Sequence, residues 1–241
     1  MEAKYLEYKF EDSLDRIDEI LNSSDSDYQD KDSIPSRDKL TYKNGFYVAA
    51  CALFVDIRES KKLTDKHKRP TLAKMYRSYI SEIIALLKDN IRVNEIYVEG
   101  DGICGIFDTT CTYHIDFVIN TAAKISSFID ALNIKLKKKG YSAINIGIGI
   151  SYGNSLYIKS GFKGSGINEV VWLGKTIGEA AKLCSYGNIS YGDNEIMISE
   201  TIFNNLKENN KKLFSYNYIR DCYHGNLINI EMNEWVDKNR K

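Results

Sequence analysis

Apolar residues recur with two different periods along the chain, and each period predicts one type of element. Short apolar runs rich in β-branched and aromatic residues predict strands, which are expected at 47–56, 92–98, 103–107, 144–151, 195–198, 212–219 and 226–232. Apolar residues spaced three or four positions apart predict helices, which are expected at about 70–89, 112–138, 175–185 and 200–208. Strands and helices that alternate around a central hairpin are typical of a ferredoxin-like sandwich. The expected fold class is therefore α/β (α+β), with a βαββαβ core and C-terminal additions.

The first 45 residues have a different pattern from the rest. An amphipathic helix is predicted within residues 1–22, and its apolar face is formed by Leu14, Ile17, Ile20 and Leu21. The segment 23–39 is polar and charged, with repeated Ser-Asp pairs, which predicts a mobile linker. We therefore expect an N-terminal helix and polar linker over residues 1–45, followed by one catalytic domain over residues 46–241.

Composition excludes several classes of protein. The 241 residues contain 33 basic and 33 acidic side chains, so the net charge is zero and nothing indicates binding to nucleic acid. Five cysteines occur without CxxC pairs, which favours reduced thiols over a disulfide framework or a zinc site. No apolar run approaches the roughly 18 residues of a membrane span, and the N-terminus does not have the pattern of a signal peptide. We expect a cytoplasmic protein with no membrane partner.

Two aspartates are the strongest candidates for chemistry. Asp56 ends the apolar run Tyr47–Val55, and Asp101 lies in a tight turn between two predicted strands. If the first strand lies beside that hairpin, the two carboxylates face each other. Such a pair suits a hard divalent cation that also binds phosphate oxygens. Either aspartate alone is equally well explained as a cap or turn residue, and only the pair favours a functional role.

Glycines mark two further segments. The strand Asn145–Gly153 has glycines at alternate positions, and the helix beginning near 175 carries Gly178 and Ala181 three residues apart. Both patterns predict close backbone approach. The run Gly161–Gly166 lacks the spacing of a phosphate-binding loop, so we interpret the excursion at 153–169 as a flexible β-hairpin arm with a structural or dimer-contacting role.

These segments together resemble the class III nucleotidyl cyclases. Leu53–Ile57 and Glu99–Gly102 resemble the two metal motifs of that family, Asn145–Gly153 its central strand, and Gly174–Leu183 its glycine-then-helix motif. The resemblance extends over about residues 47 to 235, with the motifs in the family's order. It implies the cyclase catalytic fold and a reaction in which the ribose 3′-hydroxyl attacks the α-phosphate of a nucleoside triphosphate, releasing pyrophosphate and a 3′,5′-cyclic monophosphate.

The resemblance also implies a set of site residues. Asp56, Asp101 and the carbonyl of Ile57 would hold two Mg²⁺ or Mn²⁺ ions, and Phe54 and Arg58 would bind substrate. Each site would be shared between the two chains of a homodimer. The metal residues would come from one chain, and the base-facing positions with the helix Gly174–Leu183 would come from the other.

Four positions depart from the purine cyclases. Tyr97 replaces a lysine that reads adenine, and Val171 replaces an aspartate or threonine. Tyr97 is a substrate-binding candidate that could stack on or hydrogen-bond to a smaller base, and an ordinary cross-strand aromatic residue is the open alternative. This combination resembles the pyrimidine cyclases of bacterial Pycsar antiphage systems, with UTP favoured over CTP as substrate. Their product is a second messenger that activates a cell-killing effector in antiphage defence.

Gly178 and Lys182 replace an asparagine that orients ribose and an arginine that stabilises the transition state. Lys182 keeps a positive charge and is our third catalytic candidate beside Asp56 and Asp101. Two alternatives stay open at this point. One is a purine cyclase, and the other is a catalytically silent cyclase-like domain that senses nucleotides or dimerises.

Overall fold

The computed structural model describes residues 5–163, 165 and 167–240. The strands are β1 (Tyr28–Lys31), β2 (Gly45–Ile57), β3 (Val93–Glu99), β4 (Gly102–Asp108), β5 (Ile146–Phe162), β6 (Ile167–Leu173), β7 (Ile196–Ile198), β8 (Ser215–Asn217) and β9 (Cys222–Gly225). The α-helices are α1 (Phe10–Leu21), α2 (Ser60–Lys66), α3 (Arg69–Lys88), α4 (Tyr113–Lys138), α5 (Lys175–Tyr186), α6 (Glu200–Asn205), α7 (Glu208–Lys211) and α8 (Ile230–Asn239).

All strands join one mixed sheet whose main path runs β3-β4-β2-β5-β7-β9-β8. Strand β2 pairs antiparallel with β4 on one side and with β5 on the other, and β3 pairs antiparallel with β4. With α2 and α3 after β2, and α4 after β4, this connection is the predicted βαββαβ ferredoxin-like core. The expected fold class is confirmed, including the C-terminal additions after α5.

The sheet has two faces, which we call the α3/α4 face and the α5 face. Successive side chains of a strand point to opposite faces, so Leu53, Val55 and Ile57 of β2 are buried beneath α3 and α4. Phe54 and Asp56 point to the other side, on which α5 lies. The alternation within β2 therefore decides which residues form the core and which are available to a site.

Close packing of α5 depends on a glycine in β5. A Cβ built on Gly149 would lie 2.0 Å from the backbone nitrogen of Cys184 and 2.1 Å from the carbonyl oxygen of Ala180. The close approach predicted from the alternating glycines is therefore present. The expected role of Gly178 is wrong, because a Cβ there would meet nothing within 4 Å and the residue is exposed. The helix approaches the sheet through Ala180 and Cys184 instead.

The excursion after the central strand is the predicted hairpin arm. Strand β5 continues to Phe162 and pairs antiparallel with β6, from Leu156 opposite Leu173 to Phe162 opposite Ile167. Residues 164 and 166 of the predicted arm lie outside the described residues.

The last predicted strand is wrong. The closing strand lies at Cys222–Gly225, and helix α8 begins at Ile230 within the range 226–232 that was expected to be extended. Asn229 caps this helix, because its side-chain oxygen accepts a hydrogen bond of 3.1 Å from the backbone nitrogen of Met232. The predicted helix at 200–208 is also divided, into α6 and α7, by the extended residue Leu206.

The polar segment at 23–39 is attached to the sheet. Strand β1 pairs parallel with the start of β2, and Ile34 and Leu40 are buried on the α5 face. The backbone nitrogen of Ile34 donates a 3.0 Å hydrogen bond to the Asp108 carboxylate. The mobile linker expected there is thus replaced by a packed segment, while the domain boundary at residue 45 stays a prediction. Among the described helices, none has both the length and the apolar character needed to cross a membrane.

Candidate active site

Asp56 and Asp101 lie at neighbouring strand ends. Asp56 is the penultimate residue of β2 and points to the α5 face, while Asp101 occupies the two-residue turn between β3 and β4. Gly100 adopts the left-handed conformation that this turn requires, with φ of 63°. A Cβ built on Gly102 would lie 3.7 Å from Oδ1 of Asp56, so the first carboxylate rests against the turn that carries the second.

The electrostatics of Asp56 fit a cation site. Burial, and then the negative charge of Asp101, raise the pKa of the Asp56 carboxyl group, while Arg58 and the backbone N–H of Ile57 lower it in part. Two neighbouring carboxylates with incomplete compensation favour a bound cation. No cluster of three or more His, Cys, Asp or Glu side chains is found in the described part of the chain. Asp56, Asp101 and the Ile57 carbonyl would therefore leave ligand positions for substrate and water.

Arg58 is held between the first aspartate and α5. Its guanidinium donates hydrogen bonds of 3.2 Å to the carboxylate and the backbone carbonyl of Asp56, and one of 3.3 Å to the carbonyl of Ser185. The side chain is 9% exposed. In this arrangement Arg58 orients Asp56 relative to the C-terminal end of α5. Direct binding of substrate by Arg58 stays a prediction.

Tyr97 and Phe54 lie on the α5 face, four residues before Asp101 and two residues before Asp56 in the chain. The register aligns Tyr97 with Cys104, and Cys104 with Phe54, in one row across β3, β4 and β2. The Tyr97 hydroxyl donates a long hydrogen bond of 3.4 Å to the carbonyl of Val170. Burial, and then Glu95, raise the pKa of this phenol, so it is a neutral hydrogen-bonding group at physiological pH.

A polar cluster beside Tyr97 was not expected from the sequence. The Glu95 carboxylate is 6% exposed and accepts a 2.8 Å hydrogen bond from Nε of Arg37, together with a second bond from Nη2. The Tyr157 hydroxyl lies 3.4 Å from the same carboxylate, and the Trp172 ring packs on Tyr157 at a centroid distance of 4.6 Å. The signal in the sequence was a glutamate inside an apolar strand, since a buried carboxylate requires a partner.

Lys182 and Gly178 do not join the aspartates within one chain. Both residues are exposed on α5, and the Lys182 ammonium lies 5.9 Å from the ring centroid of Tyr186. No ion pair connects Lys182 with Asp56 or Asp101 among the residues that the structure describes. A catalytic role for Lys182 stays a prediction.

The sequence of residues 43–223 matches the adenylate and guanylate cyclase catalytic domain. The chain belongs to this family, the class III nucleotidyl cyclases. A uridylate cyclase from Gulbenkiania mobilis is 33% identical over an alignment that covers all of both chains. A uridylate cyclase from Treponema porcinum is 35% identical over 97% of this chain and 82% of its own length. The predicted family membership is confirmed.

Solved structures confirm the cyclase fold. An adenylyl cyclase from P. aeruginosa superposes with a TM-score of 0.62 at 15% identity, covering 71% of this chain and 85% of its own. A guanylyl cyclase superposes with a TM-score of 0.61 at 17% identity, covering 72% and 83% of the two chains. At these identities the similarity establishes the fold alone and does not identify the substrate.

Proposed function

We propose that this cyclase converts UTP to 3′,5′-cyclic UMP and pyrophosphate. The observation that carries the choice of substrate is the similarity, over nearly the whole chain, to two proteins named uridylate cyclase. Two features support it: Asp56 lies against the turn that holds Asp101, and the resemblance aligns Tyr97 with the purine-reading lysine of the adenylate cyclases.

The residues of this chain mainly position groups and balance charge. Asp56, Asp101 and the Ile57 carbonyl would hold two Mg²⁺ or Mn²⁺ ions, which would supply activation of the ribose hydroxyl and neutralisation of the triphosphate charge. Arg58 fixes the Asp56 carboxylate through the hydrogen bonds described above. Tyr97 presents a neutral phenol to the base. Lys182 of the second chain provides a positive charge that offsets the negative charge developing on the phosphate.

A C2 homodimer completes each site in this proposal. The metal-binding aspartates of one chain face Tyr97, Val171 and Lys182 of the other, which gives two equivalent sites. Exposure of Lys182, which has no ion pair with Asp56 or Asp101 among the described residues, supports this division. A cytoplasmic location, where the triphosphate is available, and a role in antiphage defence through a cell-killing effector belong to the same proposal. All five cysteines are free thiols, which agrees with a reducing compartment.

A catalytically silent domain is the second candidate. Gly178 favours it, because this exposed position has no side chain to orient a ribose. The decisive experiment incubates the purified protein with Mn²⁺ and each of the four ribonucleoside triphosphates, and identifies the products by mass. Cyclic UMP as the main product supports the proposal. Cyclic AMP or GMP would indicate a purine cyclase, and the absence of any product would favour the silent domain.

A further inference from the structure

Arg37 lies outside the residues that match the family, yet it reaches the face on which the base is read. The family match begins at residue 43, whereas Arg37 belongs to the segment that β1, Ile34 and Leu40 attach to the sheet. The location of its guanidinium is therefore set by packing and not by chance contact of a free tail.

The contacts of Arg37 place it next to Tyr97, a proposed base-facing position. It binds Glu95, two residues before Tyr97 on β3, and its Nη2 lies 3.8 Å from Glu169, two residues before Val171 on β6. Residues two apart on a strand share one face. Glu95 and Tyr97 thus share the α5 face, and the guanidinium lies beside the position at which the proposed function reads the base.

Arg37 also has hydrogen-bond donors that Glu95 does not use. Nε and Nη2 are directed at Glu95, no bond from Nη1 is found among the described residues, and the side chain is 55% exposed. A carboxylate that accepts hydrogen bonds from two guanidinium nitrogens fixes the plane of the group. The third nitrogen then points away from that carboxylate. An arginine held in this way is prepared to donate to a ligand.

We propose that Arg37 selects UTP over CTP by donating from its guanidinium to O4 of uracil, with Glu95 as the residue that positions it. A guanidinium has donors and no acceptor, so it matches the carbonyl at position 4 of uracil and opposes the amino group of cytosine. The Tyr97 phenol excludes the larger purine ring beside it. This inference rests on the proposed function and adds the choice between the two pyrimidines.

The test compares Arg37→Gln with Arg240→Gln. Arg240 also pairs with a carboxylate at the surface, 3.1 Å from Asp130, and is the matched control. We expect Arg37→Gln to reduce the ratio of kcat/KM for UTP to that for CTP roughly ten- to a hundredfold, the effect of one charged hydrogen bond. The control should keep the ratio of the wild type. Glu95→Gln should change the ratio in the same direction as Arg37→Gln.

Binding provides a second readout that does not depend on turnover. The probes are UTP and CTP analogues with a methylene group between the α and β phosphorus atoms, titrated calorimetrically. Arg37→Gln should weaken the binding of the UTP analogue and leave the binding of the CTP analogue nearly unchanged. If Arg37→Gln fails to fold, Arg37→Lys retains the charge and the packing and should show a smaller change in the same direction.

Two outcomes, measured with a wild type that prefers UTP, would overturn the role of Arg37. The first is an unchanged ratio in Arg37→Gln, and the second is an equal loss for both pyrimidines with a lower Tm, which describes a purely structural ion pair. A wild type that prefers CTP, or that makes only purine cyclic nucleotides, would instead refute the proposed function, so the two failures are distinguishable.

Discussion

The two faces of the sheet are built from opposite kinds of residue, and β5 shows this within one strand. Ile146, Ile148 and Ile150 point to the α3/α4 face and are fully buried in the main core. Between them, Gly147 and Gly149 point to the α5 face and leave room for the backbone of α5. One strand therefore fills a core on one side and provides space on the other.

The difference extends to polar groups. The α3/α4 face is packed with large aliphatic side chains, whereas the α5 face carries Asp56, Glu95 and Tyr97. Two buried polar atoms near this face, Trp172 Nε1 and Ser155 Oγ, have no hydrogen-bond partner among the described residues. The α3/α4 face has such an atom as well, the hydroxyl oxygen of Tyr79, so unpartnered polar atoms do not distinguish the two faces. The candidate site residues do, because Asp56, Glu95 and Tyr97 lie on the α5 face.

The largest effect is expected at the aspartates. Asp56→Asn or Asp101→Asn should abolish turnover at saturating Mn²⁺, because each removes an anionic ligand from a two-ion site. Burial and Asp101 raise the pKa of Asp56, so the charged form opposes folding at neutral pH and the asparagine variant should be as stable or more stable. Product formation and thermal unfolding test both statements.

The control for the aspartates is Asp89→Asn, which alters an exposed carboxylate paired with Lys124 at 2.6 Å. This variant should keep full turnover. Cyclase activity in either active-site variant would refute the metal assignment.

A glycine pair tests the packing of α5. Gly149→Ala should displace α5 and abolish turnover, because the new Cβ would lie 2.0 Å from a backbone atom that has no room to move. Gly178→Ala is the matched control, since its Cβ meets nothing, and it should leave the Tm unchanged or higher. Circular dichroism and turnover are measured on both variants. A Gly149→Ala variant that resembles the wild type in both measurements would contradict the packing.

A variant on the α3/α4 face should change stability without changing specificity. Ile83 is fully buried there, and Ile83→Ala should lower the free energy of unfolding by about 2–5 kcal/mol. Urea denaturation measures the loss. The preference among triphosphates, assayed well below the Tm, should equal that of the wild type, and a changed preference would contradict the separation of the two faces.

Hybrid dimers test whether the sites are shared. Asp56→Asn and Lys182→Ala chains, each inactive alone, should recover about a quarter of wild-type activity after mixing, because half of the dimers are hybrids with one intact site. A mixture of Asp56→Asn and Asp101→Asn chains should stay inactive, since both defects affect the metal half of the site. Failure of the first mixture, despite subunit exchange shown by mass spectrometry, would exclude a shared site.

The smallest effect is expected at Tyr97. Tyr97→Ala should narrow the ratio of UTP to ATP turnover roughly three- to tenfold, the effect of one hydrogen bond, while Tm changes little. Tyr218→Ala, at an exposed tyrosine distant from the motifs, is the control. An unchanged ratio in Tyr97→Ala would remove this residue from base selection.

The sequence alone determined the βαββαβ core and the tight turn that holds Asp101. Both follow from local signals, namely the apolar period of each element and a turn with glycine at the position that needs positive φ. The glycines of β5 likewise predicted close approach of a backbone. The end of the chain was less predictable, because the short strand Cys222–Gly225 and the cap at Asn229 depend on neighbours distant in sequence.

Only the tertiary structure decided what surrounds the predicted site residues. The polar segment at 23–39 has the composition of a linker because few of its residues are apolar. Ile34 and the neighbouring Leu40 nevertheless pack on a surface that only the assembled sheet provides. Arg37 thereby meets Glu95, which lies 58 residues further along the chain. Arg58 meets Ser185 across 127 residues. Ion pairs and hydrogen bonds of this kind leave no periodic pattern in a sequence, because their partners become neighbours only when the sheet and α5 have packed together.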